Sequence, residues 1–146
     1  MSIHIRFAEP DDRAQWEVLW RGYQAFYEAD LRAGEEALWQ RLMNAKGDGP
    51  YALVAVGEDG RLVGLAHYLY HLTTWSHEPR CYLNDLFTAP EARGHGVGRK
   101  LIEAVYQKAD AHGAGQVYWL TQEFNKTARR LYDDVASVTP FIKYSR

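Results

Sequence analysis

The chain has 146 residues, of which 47% are hydrophobic and 25% charged, as expected for one globular domain spanning residues 1–146. A formal net charge of −2 argues against nucleic-acid binding, which requires a clustered excess of lysine and arginine. The single cysteine, Cys81, cannot form an internal disulfide, and no apolar run is long enough for a secretory signal or a membrane span. We therefore expect a cytoplasmic protein that binds neither nucleic acid nor a membrane.

Strand and helix patterns alternate along the chain, and hydrophobic periodicity gives their approximate bounds. Pro10 and the acids around it suit the first turn of a helix, and Gly57 and Gly60 flank the turn of a hairpin. In chain order we predict a strand at 3–8, helices at 10–27 and 34–46, strands at 51–56, 62–72 and 81–87, a helix ending at 112, a strand at 116–120, a helix after 125 and a strand at 139–144. This order is typical of a mixed α/β domain.

A glycine-rich segment, residues 93–100, reads Arg-Gly-His-Gly-Val-Gly-Arg-Lys between a strand and a helix. Glycine permits positive φ and close approach of a ligand, and the free N–H groups of a helix start attract anions. Arg93, Arg99 and Lys100 add positive charge. The spacing fits neither a dinucleotide fingerprint nor a P-loop. The segment is therefore either a phosphate site of another kind or a structural turn.

Two motifs in order give this chain a family resemblance. Arg93, Gly96 and Gly98 form Arg-x-x-Gly-x-Gly, and residues 125–132 read Asn-x-x-Ala-x-x-Leu-Tyr. The chain thereby resembles the GNAT superfamily of N-acetyltransferases. The resemblance implies a mixed α+β GNAT fold, in which about four helices flank a mostly antiparallel, twisted sheet of six to seven strands. It also implies acetyl-CoA as cosubstrate, no metal, and often a homodimer. The cofactor-binding residues it implies are Leu86, Phe87, Thr88, Arg93, Gly94, His95, Gly96, Val97, Gly98, Arg99 and Asn125.

Asp85 is the first candidate for acid–base chemistry. Strand alternation places it on one face with Leu83 and Phe87, where a carboxylate among apolar side chains needs a partner. It is either a structural carboxylate or a group that binds and helps to deprotonate a substrate ammonium. The surrounding segment is similar to that of the spermidine/spermine N-acetyltransferases, but Asn84 occupies the position of their additional acid. An amide takes up no proton at neutral pH, so Asn84 is a substrate contact at most.

Tyr132 is the second catalytic candidate, since the resemblance implies that it protonates the leaving thiolate. It lies seven residues after Asn125, about two helical turns, so both side chains can face one ligand. A phenol with a pKa near 10 is protonated at neutral pH and able to donate. The structural alternatives are core packing for Tyr132 and helix capping for Asn125.

The acceptor site is less defined by the sequence. Glu28 lies in an acidic cluster between the first two helices, where it and Tyr27 suit a cationic acceptor. Glu123 is a weaker candidate base. His67 and His71 would stand about 13 Å apart on a strand, too far for one metal ion. The sequence predicts acetyl transfer from acetyl-CoA to a primary amine (a small or polyamine-like amine, an amino acid or a protein lysine) by direct attack. The alternative is a catalytically silent CoA-binding module.

Overall fold

The computed structural model describes residues 2–146 and contains one five-stranded sheet with four α-helices around it. The strands are β1 His4–Phe7, β2 Tyr51–Val56, β3 Leu62–His71, β4 Arg80–Thr88 and β5 Gln116–Tyr118, and the helices are α1 Arg13–Phe26, α2 Glu35–Met43, α3 Val97–His112 and α4 Lys126–Val135. The strands lie in sequence order. Each neighbouring pair is antiparallel except β4 and β5, which are parallel.

The mixed α+β class and the order of the first nine elements are confirmed, but the expected count of six to seven strands is wrong. Residues 139–144 form no strand, and the side chains of Phe141, Ile142 and Tyr144 are 74%, 76% and 89% exposed. The neighbouring strand β5 is only three residues long. Strand propensity alone does not make a strand, because a strand also needs backbone pairing with a neighbour.

The two faces of the sheet are covered by different helices. On β3, His67 contacts Trp20 of α1, with ring centroids 4.8 Å apart. A Cβ at Gly64 would lie 2.8 Å from Val97 of α3, on the opposite face. As predicted, the inward positions of α3 are fully buried: Leu101, Ile102, Val105 and Ala109. The core therefore has two layers, one on each side of a central sheet.

A β-bulge at Asn84 sets the direction in which Asp85 points. Along the β3–β4 ladder, His67 pairs with Asp85 but the next residue, Tyr68, pairs with Leu83, so Asn84 has no partner. Paired residues share a face, which places Asp85 toward α1 and Leu83 toward α3. The predicted grouping of Asp85 with Leu83 is wrong because one inserted residue reverses the alternation.

Buried phenols and a buried thiol make the folded state sensitive to alkali. Burial raises the pKa of Cys81 to about 12, from 9.0, and that of Tyr70 to about 12, from 10.0. Because the folded state holds these protons more tightly, their contribution to stability is complete below about pH 9 and is lost as the pH rises toward 12. Each such group lowers the free energy of unfolding by about 1.4 kcal/mol per pH unit within its window.

We expect the melting temperature to be steady from pH 7 to about 9 and then to fall progressively, as measured by thermal denaturation at constant ionic strength. Cys81→Ala removes one of the titrating groups and should flatten the decline. A melting temperature that stays constant to about pH 11 would contradict the burial of these groups.

Candidate functional site

The glycine turn between β4 and α3 presents backbone amides at the start of a helix. Gly94 and Gly96 have φ of 84° and 78°, in the left-handed region that favours glycine, and Gly96 is the N-cap of α3. A Cβ on either would meet no atom within 4 Å, so the backbone conformation and not crowding requires glycine. Among the described residues, the amides of residues 94–99 donate to no other protein group. These free donors form an anion site.

Arg93 and Arg99, two basic residues of the turn, make different contacts. The guanidinium of Arg93 donates to the Thr88 carbonyl at 3.2 Å and stacks on the Phe87 ring, which ties the turn to β4. Arg99 pairs with Asp134 of α4 at 3.1 Å and remains 44% exposed. Both therefore keep positive charge beside the free amides.

A cleft of about 620 Å³ extends from the glycine turn between β4, α3 and α4. Pairing between β4 and β5 ends at Tyr82, which leaves the following part of the β4 edge open. The Ala89 amide donates to Val63 of β3, and alternate amides of a strand point the same way. The amides of Leu86 and Thr88 therefore face the open edge. The lining residues are Phe26, Tyr27, Leu86, Phe87, Thr88, Arg93, Gly94, Gly96, Val97, Gly98, Arg99, Asn125, Thr127, Ala128, Leu131 and Tyr132.

Helix α4 brings Asn125 and Tyr132 to the cleft wall. The Asn125 side chain caps α4 by accepting from the Ala128 amide at 3.3 Å, so capping and a place in the wall coexist. The Tyr132 ring contacts Trp119 with centroids 5.3 Å apart. Burial, with a smaller effect of Tyr27, raises the pKa of Tyr132 to about 12. This phenol therefore stays protonated throughout the physiological pH range.

Asp85 does not line the cleft, but its carboxylate interacts with the side chains of Tyr23 and Tyr27. Its side chain is 12% exposed and its Oδ2 is 3.0 Å from Nδ1 of His67, a buried residue of β3. Burial and the Asp85 carboxylate raise the pKa of both Tyr23 and Tyr27. Tyr27 also lines the cleft and interacts with Tyr132, so it is a neighbour of both groups. A carboxylate faced by aromatic rings suits a cationic group.

Other predicted site residues lie outside this arrangement. Glu123 is exposed in the loop before α4, Glu28 is exposed after α1 with φ of 54°, and neither lines the cleft. His95 is exposed and does not line it either. Asn84 is exposed at the bulge, 3.5 Å from Asp85. Three acids that follow Glu28 in the sequence are paired with arginines: Asp30 with Arg32, Glu35 with Arg21 and Glu36 with Arg13.

Sequence reasoning missed the roles of two residues. The strand spacing of His67 and His71 argues against a shared metal ion but does not predict that His67 hydrogen-bonds to Asp85. Tyr23, whose helical spacing suits either core packing or a cation–π contact, faces the same carboxylate. The only sequence signal for a role of His67 is that it is a polar residue within an otherwise apolar stretch of β3. Its partner depended on the strand register.

No group of three or more histidine, cysteine or acidic side chains able to hold a metal ion occurs within residues 2–146. Over the same residues, no helix has the length and apolar character needed to cross a membrane.

The acetyltransferase (GNAT) family profile matches residues 14–135, which include every element from α1 to α4. The chain belongs to the GNAT family. It is accordingly an acetyl-CoA-dependent acyltransferase, and its relatives acetylate amines.

Curated relatives support this assignment at different lengths. The D-amino-acid N-acetyltransferase HPA3 of Saccharomyces cerevisiae is 39% identical over 145 residues, covering 99% of this chain and 90% of the yeast protein. The uncharacterized N-acetyltransferase YhfO of Bacillus subtilis is 31% identical, covering 90% of this chain and 87% of that protein. The thialysine N-epsilon-acetyltransferase of Bos taurus is 35% identical over 71 residues, covering 49% of this chain and 41% of that enzyme.

Solved structures confirm the GNAT fold. The aminoglycoside acetyltransferase AAC(6')-Iy, in complex with a bisubstrate analogue, superposes with a TM-score of 0.84 at 17% identity, covering 100% of this chain and 98% of that chain. At this identity the likeness concerns the fold alone.

Gly96→Ala tests the glycine turn, and Gly113→Ala at the other end of α3 is its matched control. Both glycines have positive φ and open space around a Cβ, so each substitution strains the backbone by about 1–2 kcal/mol. Only Gly96 lies among the free amides. An alanine that leaves positive φ turns the neighbouring amides away from the anion, so we expect Gly96→Ala to weaken CoA binding by about 10-fold or more, measured by calorimetry, the effect of losing one hydrogen bond to a charged group. Equal affinities in the two variants would contradict an anion site at the turn.

Proposed function

We propose that this GNAT protein transfers an acetyl group from acetyl-CoA to the primary amine of a small cationic acceptor, with amino acids as the first class to test. The observation that carries the proposal is the Asp85 carboxylate, held among tyrosines next to the cleft that begins at the free amides. The whole-length similarity to a D-amino-acid N-acetyltransferase supports amino acids over larger acceptors.

The residues present fit acetyl-CoA. Free amides at residues 94–99, with Arg93 and Arg99 beside them, match a pyrophosphate. The open edge of β4 offers amides of Leu86 and Thr88 to the groups of an extended arm, as an added strand would use them. When bound, acetyl-CoA supplies an activated acetyl group as a thioester.

The role of Asp85 is to remove a proton from the acceptor ammonium. An alkylammonium with a pKa near 10.4 is only about 0.1% neutral at physiological pH, so attack requires removal of a proton. In the proposal, Asp85 pairs with the ammonium through the carboxylate oxygen that His67 does not bind, and takes one proton from it. The nitrogen lone pair is then free to attack.

Leu86 and Tyr132 assist the charges that develop during transfer. The Leu86 amide faces the open edge and donates to the carbonyl oxygen as negative charge develops there. Tyr132 gives its proton to the departing sulfur, and the proton that the acylated nitrogen loses restores the phenol through solvent. The net reaction releases one proton for each ammonium converted to an amide.

Release of CoA thiol, followed over a panel of amines, tests the function. The panel contains D- and L-amino acids, thialysine, a polyamine, an aminoglycoside and a lysine-containing peptide, with mass spectrometry to identify the acetylated product. We expect amine-dependent thiol release with small amino acids as the best acceptors. Binding of CoA without amine-dependent turnover by any acceptor would contradict the proposal and support a silent module.

A further inference from the structure

Asp85 is the outer member of a buried hydrogen-bonded chain that crosses from α1 to β4. The indole Nε1 of Trp16 is 3.0 Å from Nε2 of His67, and Nδ1 of His67 is 3.0 Å from Oδ2 of Asp85. Trp16 is fully buried and His67 is 3% exposed. The acetylation proposed above uses Asp85 but does not by itself require the two residues behind it.

The chemistry of Trp16 fixes the proton on His67. Indole N–H is a donor only, so Nε2 of His67 must accept and carries no proton. The single proton of the neutral imidazole is then on Nδ1, from which it is donated to Asp85. A second proton, on Nε2, would place the N–H of His67 against the indole N–H of Trp16 inside the core. Trp16 thus keeps His67 neutral and in one tautomer.

In a Ser-His-Asp triad, a buried aspartate orients a histidine that acts on the substrate. In this protein the two residues have the opposite order. Here the histidine is buried behind the aspartate: the His67 side chain is 3% exposed and the Asp85 side chain 12%. His67 cannot take a proton from Asp85, because Nδ1 already bears one and Nε2 faces Trp16. We propose that Trp16 and His67 are positioning residues that hold the Asp85 carboxylate in its charged form and direct its second oxygen toward the acceptor amine; this inference rests on the proposed function.

Among the other groups that face Asp85, Tyr23 also hydrogen-bonds to the carboxylate. Tyr23 and Tyr27 approach from α1, Tyr82 lies on β4, and the Asn84 amide is 3.5 Å from Oδ1. The asparagine contact is at the limit of hydrogen bonding and is exposed. The N–H of His67 is therefore the donor that approaches the carboxylate from the core, and the Tyr23 hydroxyl is a second donor to it.

Two substitutions of nearly equal shape separate positioning from packing. His67→Asn retains an N–H donor at about the place of Nδ1, whereas His67→Leu removes it. We expect the acid limb of the kcat/KM profile in His67→Leu to move upward by about one pH unit or more, since a hydrogen bond to a charged group is lost. That shift is about a tenfold loss at the acid end. His67→Asn should keep the wild-type limb.

A spectroscopic readout does not depend on turnover. In the ¹⁵N spectrum of the wild type we expect His67 with a protonated Nδ1 and an unprotonated Nε2. In Trp16→Phe the restriction is removed, so His67 should gain a second proton at acid pH. A wild-type His67 that is protonated on Nε2 would overturn the inference even if the enzyme acetylates amines.

The outcomes distinguish this inference from the proposed function. Identical acid limbs and identical losses in the two His67 variants mean that the residue only fills space, and the inference fails while the acetylation stands. If the wild type lacks amine-dependent turnover, the proposed function fails on its own panel. Should His67→Leu not fold, the His67→Asn profile and the Trp16→Phe spectrum still decide the matter.

Discussion

Asp85→Asn is expected to lower kcat/KM for the best amine by about 10²–10⁴-fold, the range for loss of a general base. The amide has the same size and still accepts the hydrogen bond from His67, but it neither pairs electrostatically with an ammonium nor takes its proton. The assay is thiol release at saturating acetyl-CoA. The deficit should shrink as the pH rises toward 9.5, because a larger fraction of the amine is then neutral without help.

Glu123→Gln is the matched comparison, since Glu123 is the other candidate base. It is exposed in the loop before α4, and we expect activity close to that of the wild type. A large loss in Glu123→Gln together with a small loss in Asp85→Asn would reverse the assignment of the base.

Tyr132→Phe should lower kcat by about 10²-fold or more while leaving CoA affinity nearly unchanged, because only the proton donor is removed. The ring that contacts Trp119 is retained. The pKa of Tyr132, raised to about 12 by burial, keeps the phenol protonated in all buffers in which the protein is stable. Steady-state kinetics and calorimetric binding of CoA measure the two effects separately.

Tyr106→Phe is the control for Tyr132. The Tyr106 hydroxyl donates to the Val135 carbonyl at 2.9 Å, a contact between α3 and α4. Its loss should lower the melting temperature with little effect on kcat. If both tyrosine variants lose stability equally and neither loses kcat, Tyr132 serves packing and another group protonates the thiolate.

The glycine turn was predictable because its chemistry is local. Residues 93–98 combine positive φ at Gly94 and Gly96 with a helix start, and both properties follow from glycine spacing beside an amphipathic segment. The amphipathic helices were predictable for the same reason. The inward face of α3, including Leu101 and Val105, follows directly from its 3.6-residue period.

The surroundings of Asp85 were not predictable because they depend on pairing between distant segments. The bulge at Asn84 places Leu83 on the opposite face of the sheet from Asp85. No residue type in the strand predicts this bulge. The contact of His67 with Trp16 joins residues that are 51 positions apart in the sequence. The chain from Trp16 through His67 to Asp85 forms only when β3 and β4 pair in this register and α1 packs on this face of the sheet.

The C-terminal prediction failed for a related reason. Residues 139–144 have the composition of a strand, but a strand also needs a neighbouring edge with which to pair. The edge strand β5 spans only Gln116–Tyr118, and the apolar side chains of the last residues remain exposed.

The proposed acetyl transfer depends most on the backbone amides of the glycine turn, which anchor acetyl-CoA. Titration of ¹⁵N-labelled protein with CoA, followed by amide spectra, tests this directly. We predict that the largest changes occur at the amides of residues 94–99, with further changes at Leu86 and Thr88. Saturable CoA binding that leaves the amides of residues 94–99 unperturbed, or the absence of any binding, would contradict it.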